Sequence, residues 1–450
     1  MNSTQNRLSR RAFLGIAGGL AAGVPVLASC GSSGGNSNAN ANSSGGKSID
    51  MWLIDTGAYG PLFDTMKKYE QQKGVKINVT TLPNTLAGKQ KLIIGMTAQK
   101  PPVVVVTGGS GNLKPYVASK KVIPLDAALT SANPNWKTEY LPLGLKQGTY
   151  DGTVYGIPLA GTQPDFMFYS KPVYDHIGLQ APTTYAQLKQ NAAVAKGKGL
   201  IPFSLGNESG WPGLIWFEFL ATRIGGPEPF ERVVAGDSSA WTDPSFVSAI
   251  DEMQKLIKAN YFQPGFESVD WANGVPDALL VTGKSSMEFM VNFLYNLVGQ
   301  KYPQFMKDGS LGWFDFPVVQ GGKGKTTDLI GNVSLYASIT AASTDQEKEI
   351  AADFLATVPV SKEYAEAGLK ASVVPLSKAT GEALKTYSGP AADMNKYTYD
   401  AVINATSYQT SWDNAIPGSQ QNALFTNLGN VFTLEWDGQK FAEEMSKAGS

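Results

Sequence analysis

Between residues 48 and 106 the apolar positions switch repeatedly between two periods. Residues 49–54 read as a strand. Leu62, Phe63, Met66 and Tyr69 then share one face of a helix that ends at Gly74, where a left-handed cap fits. Residues 75–79 alternate as a strand does. A second helix is predicted over 85–99, with Leu92, Ile93 and Met96 inward. The valine run 103–106, after Pro101-Pro102, suits a strand buried on both faces of a parallel sheet. This β-α-β-α-β order predicts a helix-covered parallel sheet with functional loops at the strands' C-terminal ends. Those loops are Asp55-Thr56-Gly57 and Thr107-Gly108-Gly109-Ser110.

Further along, Tyr155-Gly156-Ile157-Pro158 leads into a second extended stretch, Phe166-Met167-Phe168-Tyr169. Thr184 with Gln187, and Thr344 with Glu347, are capping-box pairs that open helices. The second of these helices runs through Ile350, Phe354 and Leu355. Asp243-Pro244 starts a helix with Phe246, Ile250, Met253 and Ile257 inward. The last fifty residues read as helices and loops. The class is α/β, too long for one sheet, and it suits two domains joined by several crossings.

The first 47 residues follow a different pattern. Arg7, Arg10 and Arg11 precede an apolar, Ala/Gly-rich stretch, 13–27, broken by Pro25 and shorter than the roughly 20 residues of a membrane span. Ser9-Arg10-Arg11-Ala12-Phe13-Leu14 resembles a twin-arginine export signal, and Leu27-Ala28-Ser29-Cys30 resembles a bacterial lipobox. The expectation is a signal over 1–29, a lipid on Cys30 and a flexible linker over 30–47, made almost wholly of Gly, Ser, Asn and Ala. The globular part would then be tethered to the outer face of the cell membrane.

Composition narrows the chemistry. The 450 residues carry 37 basic and 38 acidic side chains, so there is no basic stripe for nucleic acid. One cysteine excludes an intramolecular disulfide and a multi-thiolate zinc site, and one histidine, His176, leaves a single imidazole. Gly324-Lys325-Thr326 lacks the earlier glycine of a phosphate loop, since position 319 is Val319. Gly108-Gly109-Ser110-Gly111 is followed by Asn112 where a nucleophile elbow needs glycine. No EF-hand pattern is present, and neither metal nor cofactor is expected. Asp165, Glu208, Asp270, Glu288 and Asp315 lie near aromatic loops, where a glycosidase pair would sit, though ligand hydrogen bonding accounts for them more simply. Trp211, Trp271 and Trp412 each lie in a turn-rich segment beside Asp, Glu or Asn. An indole face with neighbouring amides and carboxylates suits a pyranose ring and its hydroxyls; the competing role is to seal a local core.

A succession of short signatures across 48–450 resembles the extracellular solute-binding proteins of bacterial ABC transporters, in the carbohydrate-binding group that includes maltose-binding protein. They are Pro101-Pro102-Val103-Val104-Val105-Val106, Val122-Ile123-Pro124-Leu125-Asp126, Tyr155-Gly156-Ile157-Pro158 followed by Phe168-Tyr169-Ser170-Lys171, Ile177-Gly178-Leu179 with Ala181-Pro182-Thr183-Thr184-Tyr185, and Ser338-Ile339 before Phe354-Leu355. Ser170 and Ala181 depart from the family's Asn and Pro. The resemblance implies a two-lobed clamp, with 48–158 plus 329–384 in one lobe and 159–328 plus 385–450 in the other. It places Asp55, Thr107, Asp165, Trp211, Asn292, Asn332 and Trp412 on the cleft, with Trp271 added by the aromatic pattern. Indoles would stack sugar rings, while Asp55, Asp165, Asn292 and Asn332 bond hydroxyls. It further implies a monomeric binder, not an enzyme, that delivers a di- or oligosaccharide to a membrane permease. A non-sugar solute such as a polyamine is the alternative cargo, and a cleft dominated by acids would favour it.

Overall fold

A computed structural model describes residues 47–54, 59–83, 86–416 and 418–449. The export signal, the linker with Cys30, and Asp55 lie outside these described residues. Two mixed sheets organise the rest. The first has the order Val75–Leu82, Lys47–Ile54, Val104–Thr107, Tyr336–Ile339, Ile157–Pro158. Its opening three strands are parallel, and Tyr336–Ile339 runs antiparallel beside Val104–Thr107. The valine strand is buried on both faces: Val104 and Val106 enter one apolar cluster with Ile49, Met51 and Leu53, and Val105 enters another with Leu82, Leu92 and Met96.

The second sheet has the order Ser407–Thr410, Asp328–Asn332, Gln163–Ser170, Ser285–Val291, Ile201–Ser204, with Leu311–Phe314 also paired to Gln163–Ser170. Its main core gathers Phe166, Phe168, Trp216, Phe289 and Phe316 with the aromatics of the covering helices. The chain passes from the first sheet to the second between Pro158 and Gln163 and returns between Asn332 and Tyr336. The return falls later than the sequence boundary at 329, because Asp328–Asn332 pairs with Ser407–Thr410 and with Gln163–Ser170 and so belongs to the second sheet.

Local signals explain the helix ends. Gly60–Lys73 stops at Gly74, φ 62°, whose N–H donates to the Glu70 carbonyl. Both capping boxes form, at Thr184/Gln187 and Thr344/Glu347, and the Asp243 side chain accepts from Ser245 N. Two expectations are corrected. Ile93 is 54% exposed: Leu92 and Met96 face the sheet, and the neighbouring position turns about a quarter of the way round the helix. The last fifty residues contain a strand, Ser407–Thr410, whose four residues are all buried though none follows an apolar alternation.

Candidate functional site

The strand ends of the second sheet bring the predicted residues onto one crest. Gln163 is opposite Asn332, Asp165 is opposite Val291 just before Asn292, and Gly331 is opposite Thr410. On the first sheet Thr107 is opposite Tyr336. Between them Gly109 takes φ 70° with its Cα against the Tyr336 ring; a Cβ there would lie 2.4 Å from the ring. Only glycine allows both that conformation and that approach.

Three aromatic rings stand along this crest. Trp211 opens the helix Trp211–Gly225 and meets Trp271 edge to face, centroids 5.6 Å apart, and Trp271 meets Phe293 at 5.5 Å. All three are half-buried. Trp271 is pinned from several sides. Its backbone presses on Gly206, where a Cβ would come within 2.8 Å, and Asp270 accepts from Ala272 N at 2.9 Å. Its indole N–H donates to Glu288 Oε1 at 3.0 Å. The result is a folded apolar wall with ring edges and faces partly open.

The strand Gln163–Ser170 and the helix Trp211–Gly225 carry a group of carboxyls. Asp165 is 2% exposed, and its Oδ1 has no hydrogen-bond partner. Glu218, wholly buried in the adjoining helix, accepts from Trp412 N at 2.7 Å and Ser411 Oγ at 3.0 Å, and its Oε2 is likewise unpartnered. Burial pushes Asp165 well above the usual carboxylate range, and the nearby Asp413 adds to it; burial and the Asp165 charge do the same to Glu218. Burial thus favours the neutral form of both carboxyls over the charged one.

An amide relay links the crest to the first lobe. Asn332 Nδ2 donates to Gln163 Oε1 at 3.3 Å, Asn414 Nδ2 donates to Asn332 Oδ1 at 3.3 Å, and Asn112 Nδ2, from the first-lobe helix Ser110–Ala118, donates to the Asn414 carbonyl at 2.6 Å. Gly111 lies so near the Ala415 carbonyl that a Cβ would be 2.1 Å from it.

Not every candidate reaches the surface of this site. Trp412 is 0% exposed. Phe230 stacks on it at 3.9 Å and 6°, Phe217, Trp241 and Phe246 surround it, and its N–H donates to Gln409. It seals the second-lobe core and offers no face to a ligand. The amide of Asn292 turns inward to the Thr162 carbonyl and Thr398 Oγ1, and Thr107 Oγ1 accepts from Gly109 N. Of the remaining carboxylates, Asp270 caps its own turn, Asp315 faces Tyr397 and Arg223, and Glu208 rims a cavity of about 300 Å³ with Phe425 and Phe432 on the far side of its loop. Glu218 and Gln163 escaped the sequence reading. The signal for Glu218 was present: it and Arg223 are the only ionisable residues in the otherwise apolar helix Trp211–Gly225.

The profile of the bacterial extracellular solute-binding protein family matches residues 56–358. An uncharacterized ABC transporter extracellular-binding protein of Pyrococcus horikoshii is 24% identical over 235 residues, 51% of each chain. A "Probable sugar-binding periplasmic protein" of Mesorhizobium japonicum is 24% identical over 166 residues, 37% of this chain and 39% of that one. The alignments thus span about half or less of these relatives' length. A chitin oligosaccharide binding protein superimposes with TM-score 0.74 at 22% identity, covering 89% of this chain and 98% of its own. A protein from work on xylan utilization by the thermophilic bacterium Caldanaerobius polysaccharolyticus gives 0.71 at 24% identity, covering 89% and 99%. These likenesses establish the two-lobed α/β fold.

Proposed function

Because the chain belongs to the bacterial extracellular solute-binding protein family, we propose that it captures a di- or oligosaccharide between its lobes for an ABC importer. The observation that carries this reading is the run of three half-buried rings, Trp211, Trp271 and Phe293, together with the strand ends that carry Gln163, Asp165 and Asn332. Pyranose C–H faces lie against aromatic rings while hydroxyls need dense, well-placed donors and acceptors. Three rings in a row provide for more than one sugar unit. Gln163, Asn332 and Asp165 are the polar partners at the strand ends. The sugar-binding names of several relatives point the same way.

The first lobe acts as the lid. Asn112 and Gly111 meet the second lobe at Asn414 and Ala415, and a ligand that touches both crests favours the closed arrangement through its greater affinity for it. In this reading the twin-arginine-like signal exports the chain, Cys30 anchors it, the linker lets it reach the permease, and it works as a monomer without a cofactor.

A second cargo is favoured by one observation. Asp165, Glu218 and Asp413 lie near enough to perturb one another, and such a group would also hold an ammonium, as in a polyamine. A thermal-shift and calorimetric screen of the chain from Lys47 onward separates the two. The panel is maltose, cellobiose, xylobiose, chitobiose, their longer oligomers, putrescine and spermidine. Sugar capture predicts stabilisation by one saccharide class, and an affinity loss of about 10- to 100-fold in Trp271→Ala, equivalent to ~1.4–2.7 kcal/mol. Stabilisation by the amines alone would replace the cargo.

A further inference from the structure

Behind the aromatic wall lies a second pair of buried carboxyls that the capture of sugar does not itself require. Glu288 sits on the strand Ser285–Val291, every residue of which is buried, with Phe168 and Ser204 as its partners in register on either side. Its chain neighbours Met287 and Phe289 enter the main core. Glu288 is 1% exposed, and its one hydrogen bond with a side-chain donor comes from the Trp271 indole. Glu288 Oε2 and Asp277 Oδ1 have no hydrogen-bond partner, while Asp277 Oδ2 receives Lys301 Nζ at 3.0 Å. An ionisable side chain at this depth is costly unless something is held by it.

What it holds is a ring whose other contacts are apolar packing. Trp271 stands on a three-residue turn, Trp271–Asn273, between the Asp270 cap and Gly274 at φ 71°. Its edge-to-face contacts with Trp211 and Phe293 are weakly directional, and the hydrogen bond to Glu288 adds the directional anchor. The same bond takes up the indole N–H, so it is no longer a free donor.

We propose that Glu288 is the positioning residue of the wall, setting the orientation of the Trp271 indole and withholding its N–H from the ligand, so that the platform selects sugars by stacking. This rests on reading the wall as the saccharide surface. Burial first, and the Asp277 charge second, push the Glu288 carboxyl well above its usual range. Glutamine presents a carbonyl oxygen at the position of the Oε1 that accepts the indole N–H, which makes it the functional isostere.

The test compares Glu288→Gln with Glu288→Met, whose thioether matches the length of the side chain and suits a strand already holding Met287 and Met290. The first readout needs no ligand: the Trp271 indole ¹H–¹⁵N resonance, assigned by its loss in Trp271→Phe. Glu288→Gln should leave it near its wild-type position, and Glu288→Met should move it upfield as the hydrogen bond is lost. The second readout is affinity for the disaccharides maltose, cellobiose, xylobiose and chitobiose. We expect Glu288→Gln to stay within about threefold, and Glu288→Met to bind about tenfold more weakly or to change its preference among the four, the scale of one buried hydrogen bond. In a Trp271→Phe background the Glu288→Met change should add nothing further. An indole resonance unmoved by Glu288→Met overturns the proposal. A resonance that moves, in a protein that binds none of the sugars, upholds the positioning of Trp271 and instead sinks the saccharide reading. Should Glu288→Met not fold, Trp271→Phe alone decides: if Glu288 exists to hold the indole, Trp271→Phe leaves a buried carboxyl bare and Glu288→Gln then raises the melting temperature only in that background, whereas an equal effect in both overturns the proposal.

Discussion

The two lobes are built alike, each a mixed sheet under helices, yet they treat charge in opposite ways. Among the described residues, every charged side chain that is buried belongs to the second lobe: Asp165, Glu218, Arg223, Asp277, Glu288 and Asp328. The buried polar side chains of the first sheet and its helices are hydroxyls, such as Thr65, Thr107, Ser338 and Thr340. The first lobe therefore needs little beyond apolar packing and backbone pairing to hold its shape. The second lobe carries buried charges, and each costs stability unless it has a partner.

The largest expected effect tests the stability side of this contrast. Arg223 donates from Nε to the Phe316 carbonyl at 3.0 Å, from Nη1 to the Asp328 carbonyl at 2.9 Å and from Nη2 to the Thr326 carbonyl at 3.4 Å. Arg223→Leu leaves those acceptors and Asp328 without their cation and should cost about 3–5 kcal/mol in urea unfolding. In the first lobe, Thr340→Val removes the bond to the Pro102 carbonyl and the one shared with Ser343 Oγ, and should cost about 1–2 kcal/mol. Equal losses would erase the distinction between the lobes.

Next in size is the closure between them. Gly111→Val places carbon where the Ala415 carbonyl stands. It should hold the lobes apart, raise the radius of gyration in solution scattering and weaken ligand binding about three- to tenfold, because the binding-competent fraction falls. An unchanged radius and affinity would mean that closure does not pass through this contact.

The smallest effect is a drift with pH, opposite in sign between lobes. Glu218 and Glu288 have folded values raised above 4.5, so folding takes up protons there. Their contribution is full below 4.5 and declines as pH rises through the folded values. In the first lobe Asp126, despite partial burial that acts the other way, is held below 3.8 by bonds from Val154 N and Lys137 Nζ. Its contribution is present above 3.8 and is lost in acid. Glu218→Gln with Glu288→Gln should flatten the decline of melting temperature as pH rises above 4.5, and an unaltered slope would assign that decline elsewhere.

Much of this was legible in the residues because periodicity reports burial on one face. The opening strand–helix alternation, both capping boxes and the Gly74 stop were readable since each depends on neighbours within a few positions. Ser407–Thr410 was not, because its polar residues are buried by partners roughly eighty and more positions earlier in the chain. The site divided on the same line. Asp165, Asn332, Trp211 and Trp271 lie on loops and strand ends, where turn residues mark position. Trp412 shares that local chemistry, yet Phe230 and Trp241 close over it from a distant segment. Whether an indole is platform or plug is settled by chain far from it.

The strand Tyr336–Ile339 occupies the slot between Val104–Thr107 and Ile157–Pro158, although nearly the whole second sheet lies between them in the chain. A growing polypeptide that has made its first 160 residues thus has a sheet with a missing rung and an unsatisfied valine edge. That edge waits through the synthesis of the intervening segment, and such an edge invites pairing with other chains. Biogenesis of this molecule is consequently a timing problem: the first lobe starts first yet cannot complete its sheet until Ile339 has been made, and a factor that shields nascent β-edges would matter more to its yield than one that speeds any local step.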